Sequence, residues 1–207
     1  MNRDAMPHRA RTLAALLPLA LAACGVAGPA PAGPSPDGVD LRGARLGGDF
    51  ALLDKAGRTV RWSDFAGRYR IVYFGYTWCP DICPTDVQRI AQGLRLFARD
   101  HPALAAKVQP IFITVDPERD TPAKVGEFAA AFHPDLIGLT GSPAAIEAAK
   151  RAFAAASSKG AVQPNGGYLV NHTNLAYLFG PDGKPLGTLP TDKGPEAVAA
   201  ELAGWVR

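Results

Sequence analysis

Two unbroken apolar runs, Ile71–Tyr76 and Ile111–Val115, constrain this chain more than anything else in it. A strand with one face in water alternates polar and apolar residues, so a strand without alternation must be covered on both faces. Between the runs, Val87, Ile90, Ala91, Leu94 and Phe97 recur at helical spacing. After the second run, Val125, Phe128, Ala129 and Phe132 do the same, behind Asp120 or Thr121 as cap and Pro122 in the first turn. A short strand, Leu136–Leu139, precedes a third helical stripe at Ile146, Ala149 and Phe153. Val198, Leu202 and Trp205 mark a last helix.

Two hairpins bracket this alternation. Phe50–Leu53 and Thr59–Trp62 flank Asp54-Lys55-Ala56-Gly57, and Leu175–Phe179 and Leu186–Leu189 flank Pro181-Asp182-Gly183-Lys184. Strands alternating with helices predict an α/β chain with a mainly parallel central sheet flanked by helices. With an N-terminal hairpin and a C-terminal antiparallel hairpin added, the order fits a thioredoxin-like sandwich. A content of 47% apolar and 20% charged residues agrees with a globular body. A formal charge of +3 without a basic stripe excludes nucleic acid as partner. Three cysteines are too few for a disulfide scaffold.

The N-terminus reads differently. Arg3, Arg9 and Arg11 precede an apolar run, Leu13–Ala23, that is too short to span a bilayer as a mature helix. A basic flank, a short apolar core and small residues at its end describe a secretory signal over residues 1–23. Leu21-Ala22-Ala23-Cys24 resembles a bacterial lipobox, in which the cysteine is lipidated and becomes the first mature residue. A cleaved soluble protein and an uncleaved anchor are the alternatives. Cleavage there removes Met1 and Met6, the only methionines, and with them any Met-rich metal site. Residues 24–40 are rich in Pro and Gly and read as an extended tether, with a reach on the order of 40 Å. The folded domain is then 41–207, membrane-anchored through lipid on Cys24 in the cell envelope and facing the periplasm.

The chemistry sits in Tyr76-Thr77-Trp78-Cys79-Pro80-Asp81-Ile82-Cys83-Pro84-Thr85-Asp86, between the first buried strand and the first helix. Open α/β sheets place their sites at the carboxyl ends of strands. Pro84 suits the first helical position, so Cys83 is expected just before the helix, with both sulfurs in an irregular turn. Sulfurs near exposed helix N–H groups have lowered pKa values, and the resulting thiolates attack disulfides or bind soft metals. A structural disulfide, in an exported chain, and two ordinary buried thiols are the other readings. Three intervening residues, not two, depart from the usual redox pair.

The mature chain keeps three histidines. His101 and His133 each precede a proline and end a helix, where an imidazole can cap terminal carbonyls. His172 lies in Tyr168-Leu169-Val170-Asn171-His172-Thr173-Asn174, in the loop entering the closing hairpin. In a thioredoxin-like sandwich that loop lies beside the cysteine turn. Spacing alone does not choose between a ligand and a structural loop residue. Two thiolates with one imidazole form an S₂N set; soft sulfur selects Cu(I), and imidazole also suits Cu(II). Zinc wants a fourth ligand, and no further Cys or His is left to supply it.

Three blocks together resemble the SCO/SenC family, the copper-binding factors for assembly of cytochrome c oxidase. They are Phe74-Gly75-Tyr76-Thr77-Trp78-Cys79-Pro80-Asp81-Ile82-Cys83-Pro84-Thr85, then Thr114-Val115-Asp116-Pro117-Glu118-Arg119-Asp120-Thr121-Pro122, then Asn171-His172-Thr173 with Gly180-Pro181-Asp182-Gly183. The resemblance implies a thioredoxin-like fold with one copper ion, Cu(I) or Cu(II), held by Cys79, Cys83 and His172. It implies delivery of copper to the dinuclear site of oxidase subunit II or another periplasmic copper protein, or reduction of that site's cysteines. Asp116 to Thr121 are read as turn-forming and capping residues. Two positions depart from the pattern: many members carry histidine where Trp78 stands and aspartate where Asn171 stands. Trp78 would put an aromatic wall beside the site.

Two functions compete for the same sulfurs. One is a metallochaperone that carries copper and passes it on. The other is a thiol–disulfide oxidoreductase with Cys79 and Cys83 as its redox-active residues. Cys83-Pro84-Thr85-Asp86 also looks like a peroxiredoxin run, but Pro80 stands where that chemistry needs a hydroxyl donor.

Overall fold

The two apolar runs become neighbouring strands at the middle of a five-stranded sheet, buried at every position. The structure, a computed structural model, describes residues 37–164 and 166–207 together with Met1 and Gly33. The signal segment beyond Met1, Cys24 and most of the tether lie outside the described residues.

In chain order, β1 (Ala51–Leu53) and β2 (Thr59–Arg61) form the expected N-terminal hairpin. β3 (Tyr69–Gly75) leads through the cysteine turn into α1 (Ile82–Asp100), a short α2 (Pro102–Ala105) and β4 (Val108–Thr114). α3 (Pro122–Phe132), β5 (Ile137–Leu139) and α4 (Pro143–Ala152) follow. β6 (Ser157–Lys159) and β7 (Val170–His172) make a separate two-stranded antiparallel ribbon. β8 (Ala176–Phe179) and β9 (Pro185–Leu189) are the closing hairpin, and α5 (Pro195–Trp205) is the last helix. The sheet order is β5-β4-β3-β8-β9. Its first three strands are parallel and the hairpin continues them antiparallel, so this thioredoxin-like sheet is mixed.

Strand alternation divides the core between two faces. Tyr73 and Phe112 are registered partners on β3 and β4; Phe112 packs against Phe128 of α3, and the Tyr73 hydroxyl donates to Asp86 of α1. Phe74 points the other way, into a cluster with Phe153, which in turn meets Trp62, Phe50 and Phe179. Each such ring, removed from water, contributes roughly 1.5–3 kcal/mol. Helix α1 lies close on α5 because Gly93 has no side chain: a Cβ there would stand 2.5 Å from Val198 Cγ1.

Three features differ from the sequence reading. Helix α1 starts at Ile82, so Cys83 lies inside its first turn and Pro84 is its third residue. Proline is tolerated there because the N–H it lacks would have no partner within the helix. His172 is not in a loop but is the last residue of β7, in a ribbon that the sequence reading leaves out. The expected tether also touches the body at its end, where Val39 and Thr188 exchange bonds, just before the domain's own Leu41 N–H reaches the Leu186 carbonyl.

Candidate metal centre

β3 delivers the chain to the cysteine turn at its carboxyl end, and β4 delivers Asp116–Asp120 beside it. The turn closes with Cys79 N–H bonding the Tyr76 carbonyl at 3.3 Å. Asp81 then caps α1 without a side-chain bond, and the Cys83 N–H points at Cys79 Sγ at 3.3 Å. A first-turn donor, unpaired within any helix, is thus aimed at Cys79 and not at Cys83. Cys83 is completely buried, and Cys79 is half-buried.

Burial, with the neighbouring Cys79 and Asp86 adding to it, pushes the Cys83 thiol well above the ordinary range. The sequence expectation of a lowered pKa therefore fails at Cys83, where loss of water outweighs the helix N–H groups. Beneath it, Asp86 is 2% exposed and accepts from Tyr73 at 3.0 Å; burial raises its carboxyl and the Tyr73 phenol alike.

The second half comes from the ribbon. Ser157 pairs with His172, Ser158 with Asn171 and Lys159 with Val170. Thr173 N–H and Oγ1 bond Ala156 from both sides, at 2.9 and 3.0 Å. The His172 Nδ1–H donates to the Thr173 carbonyl at 2.9 Å, and in the neutral imidazole that tautomer puts the lone pair on Nε2. That Nε2 lies 3.0 Å from Cys83 Sγ, between residues 89 positions apart in sequence. The rings of Tyr73 and Tyr76 stand edge-on to the imidazole at 6.3 and 5.8 Å.

Cys79 Sγ, Cys83 Sγ and the imidazole all offer a donor atom within 4.8 Å of one another, the one such group among the described residues. Cys79 and His172 border a cleft of ≈ 400 Å³ whose rim includes Pro80, Ile82, Leu169 and Asn171, and Cys83 lies buried behind them. Such an S₂N set can hold a soft ion at a surface that a second protein can reach. His101 and His133 stay outside it. His101 packs on Phe97, and His133 accepts the Asp135 N–H at 3.2 Å instead of capping a carbonyl. Trp78 does not wall the site: it is 54% exposed and lies over Lys124 and Arg119 at 4.8 and 5.9 Å.

Asp120, one of the two candidate caps of α3, does not cap it. Its carboxylate, completely buried, accepts from Thr77 N–H (2.9 Å), Thr77 Oγ1–H (2.6 Å) and Thr114 Oγ1–H (2.6 Å). Thr121 is the residue that caps α3, accepting from Lys124 N–H. Two candidate caps stand in a row, and only one can cap; that surplus is the signal that would have found Asp120. Tyr168, which the sequence pattern gives no role, donates its hydroxyl to Asp116 at 2.8 Å.

Residues 39–207 match the family described as SCO1/SenC. The mitochondrial SCO2 homolog of Danio rerio is 43% identical over 144 residues, 69% of this chain and 51% of that protein. The chain spans about half the length of the curated relatives it matches, a mitochondrial SCO2 homolog of Bos taurus included. Bradyrhizobium japonicum ScoI, solved with copper bound, is 38% identical with a TM-score of 0.69, covering 77% of this chain and 99% of that one. The apo Sco1 protein of Thermus thermophilus, solved in solution, is 34% identical with a TM-score of 0.72, covering 82% and 96%.

Proposed function

The chain belongs to the SCO1/SenC family, and from that premise we propose that it is a copper metallochaperone for cytochrome c oxidase assembly. Its cargo passes by thiolate ligand exchange to the dinuclear copper site of oxidase subunit II or to another periplasmic copper protein. The observation that carries this reading is the meeting of three donor atoms within 4.8 Å. A relative solved with copper bound supports the choice of ion.

Cys79, Cys83 and His172 are the ligands in this reading, holding one Cu(I) or Cu(II). The proton on His172 Nδ1 fixes Nε2 as the nitrogen donor. Copper takes the place of the Cys83 thiol proton, which leaves to solvent on binding. Transfer begins when a partner thiolate bonds the ion from the cleft side. Cys79, the more exposed sulfur, releases first, and each bond lost to this chain is replaced by one to the partner. Residues 1–23 act as a lipoprotein signal, Cys24 as the lipid anchor and 24–40 as the tether, so that the domain 41–207 works at a membrane surface facing the periplasm.

A second reading, a thiol–disulfide oxidoreductase, is favoured by the Cys83 N–H aimed at Cys79 Sγ. There the Cys79 thiolate attacks a partner disulfide to form a mixed disulfide. Cys83 then displaces the partner sulfur, leaving a Cys79–Cys83 disulfide and two reduced partner thiols.

Anaerobic titration of the reduced protein with Cu(I) against a competing chelator tests the first reading. One equivalent binds, and Cys79→Ser, Cys83→Ser and His172→Ala each weaken it at least about tenfold, about 1.4 kcal/mol. Unchanged affinity in all three removes the assigned site. Oxidase assembly that survives His172→Ala but not either cysteine change favours the reductase.

A further inference from the structure

One five-residue turn touches both halves of the site. On the cysteine side, the buried Asp120 carboxylate takes both the N–H and the hydroxyl of Thr77, two residues before Cys79, and is itself tied to Thr114 at the end of β4. The Asp120 carbonyl also receives the Thr140 hydroxyl at 2.8 Å, so its backbone is held from the far side. On the histidine side, Arg119 lies 3.6 Å over the Tyr168 ring, donates to the Tyr168 carbonyl at 3.0 Å and pairs with Asp116 at 2.5 Å. The Tyr168 hydroxyl closes that loop on Asp116. Tyr168 stands two residues before Val170, where β7 begins. Glu118 adds a bond to Lys159 of β6 at 2.7 Å.

A two-stranded ribbon of three residues a side is marginal without such ties. Neither arm is braced to the other by backbone ladders, since the ribbon and the five-stranded sheet are separate. We propose that the Asp116–Asp120 turn is a clamp that sets the distance between the cysteine pair and His172, with Asp120, Arg119 and Asp116 as positioning residues, Thr77 and Tyr168 being the points it grips. This rests on the metal-site reading above. Outer partners of this kind change metal affinity by roughly 10–100-fold when removed.

Two mild variants release one arm each: Thr77→Val removes the hydroxyl bond to Asp120, and Tyr168→Phe removes the hydroxyl bond to Asp116. Each is expected to weaken Cu(I) about tenfold and to shift the thiolate-to-metal absorption of the Cu(II) complex. Thr77→Ser, which keeps the hydroxyl, restores both. In the copper-free protein, amide exchange quickens at residues 77–79 in Thr77→Val and at residues 170–173 in Tyr168→Phe, while β3 and β4 keep wild-type rates. Wild-type affinity, absorption and exchange in both variants would overturn the clamp. So would a lowered melting temperature with unaltered affinity and absorption, which marks contacts that serve stability alone. If the wild type takes up no copper, the metal reading fails, and local exchange then decides the clamp by itself.

Discussion

The two arms of the site stand on unequal foundations. Cys83 belongs to the core: it is completely buried on a 19-residue helix that begins directly off the cysteine turn and packs on α5. His172 belongs to a short ribbon in which Asn171, Ser158 and Lys159 are exposed and Leu169 beside it is 54% exposed. The cysteine arm is placed by burial, which is strong and non-directional; the histidine arm is placed by a few directional bonds. An arrangement of this kind holds one side of the site rigid and leaves the other free to move, because low local stability is where motion is drawn from.

The largest expected effect breaks the comparison at its strong end. Phe74, 1% exposed, packs beside Phe153 one residue before the chain turns toward the cysteines. Phe74→Ala leaves a cavity and costs roughly 3–5 kcal/mol in denaturant unfolding, whereas Leu169→Ala on the histidine side stays within about 0.5 kcal/mol. Similar losses for the two would mean that the arms share one foundation.

Gly75→Ala is the next test, and it strains the cysteine arm without emptying it. A Cβ at Gly75 would stand 2.9 Å from Phe112 Cε2 and 3.2 Å from Cys83 Sγ. Phe112 is fixed in the core, so the sulfur or the strand must give. Overpacking of this sort costs about 1–3 kcal/mol. Copper affinity should fall with stability, and chelator competition on the folded variant separates the two. Wild-type affinity would show that Cys83 can move without loss.

The same inequality decided what could be read from the sequence. β3, β4 and both hairpins follow from local pattern, because burial on two faces removes alternation and tight turns use Asp, Gly and Pro. β6 and β7 carry no such pattern: Ser157, Ser158 and Lys159 have no apolar face, and the ribbon forms because tertiary ties hold it against the 116–120 turn. α1 starts two residues ahead of Pro84 because proline is acceptable throughout a first turn, not only at its first position. The cysteine pair was visible as local spacing. The approach of His172 across 89 residues has no local signal; the fold class alone puts its stretch beside the cysteine turn, and its choice as a ligand comes through resemblance to a family. Asp120 was hidden behind Thr121, since an acidic residue before Thr-Pro reads as a cap.

The smallest effect lies at the outermost tie of the weak arm. Glu118 and Lys159 are 62% and 46% exposed in their side chains and meet at 2.7 Å. The bond to Lys159 lowers the Glu118 carboxyl below its ordinary value of 4.5 and raises the Lys159 ammonium. A carboxyl depressed in the folded state stabilises it above that ordinary value, and the contribution fades as pH falls through the depressed one. Protection of the β7 amides, corrected for intrinsic exchange, should therefore fall slightly on acidification below 4.5, and Glu118→Gln should remove that dependence. An exposed pair is weak and screened by salt, so the change is a few-fold at most and shrinks in high salt. The amides of α1 and β3 should not respond. A response there as large as in β7 would mean that the two arms open together, and the cysteine side would then be no more firmly held than the ribbon that faces it.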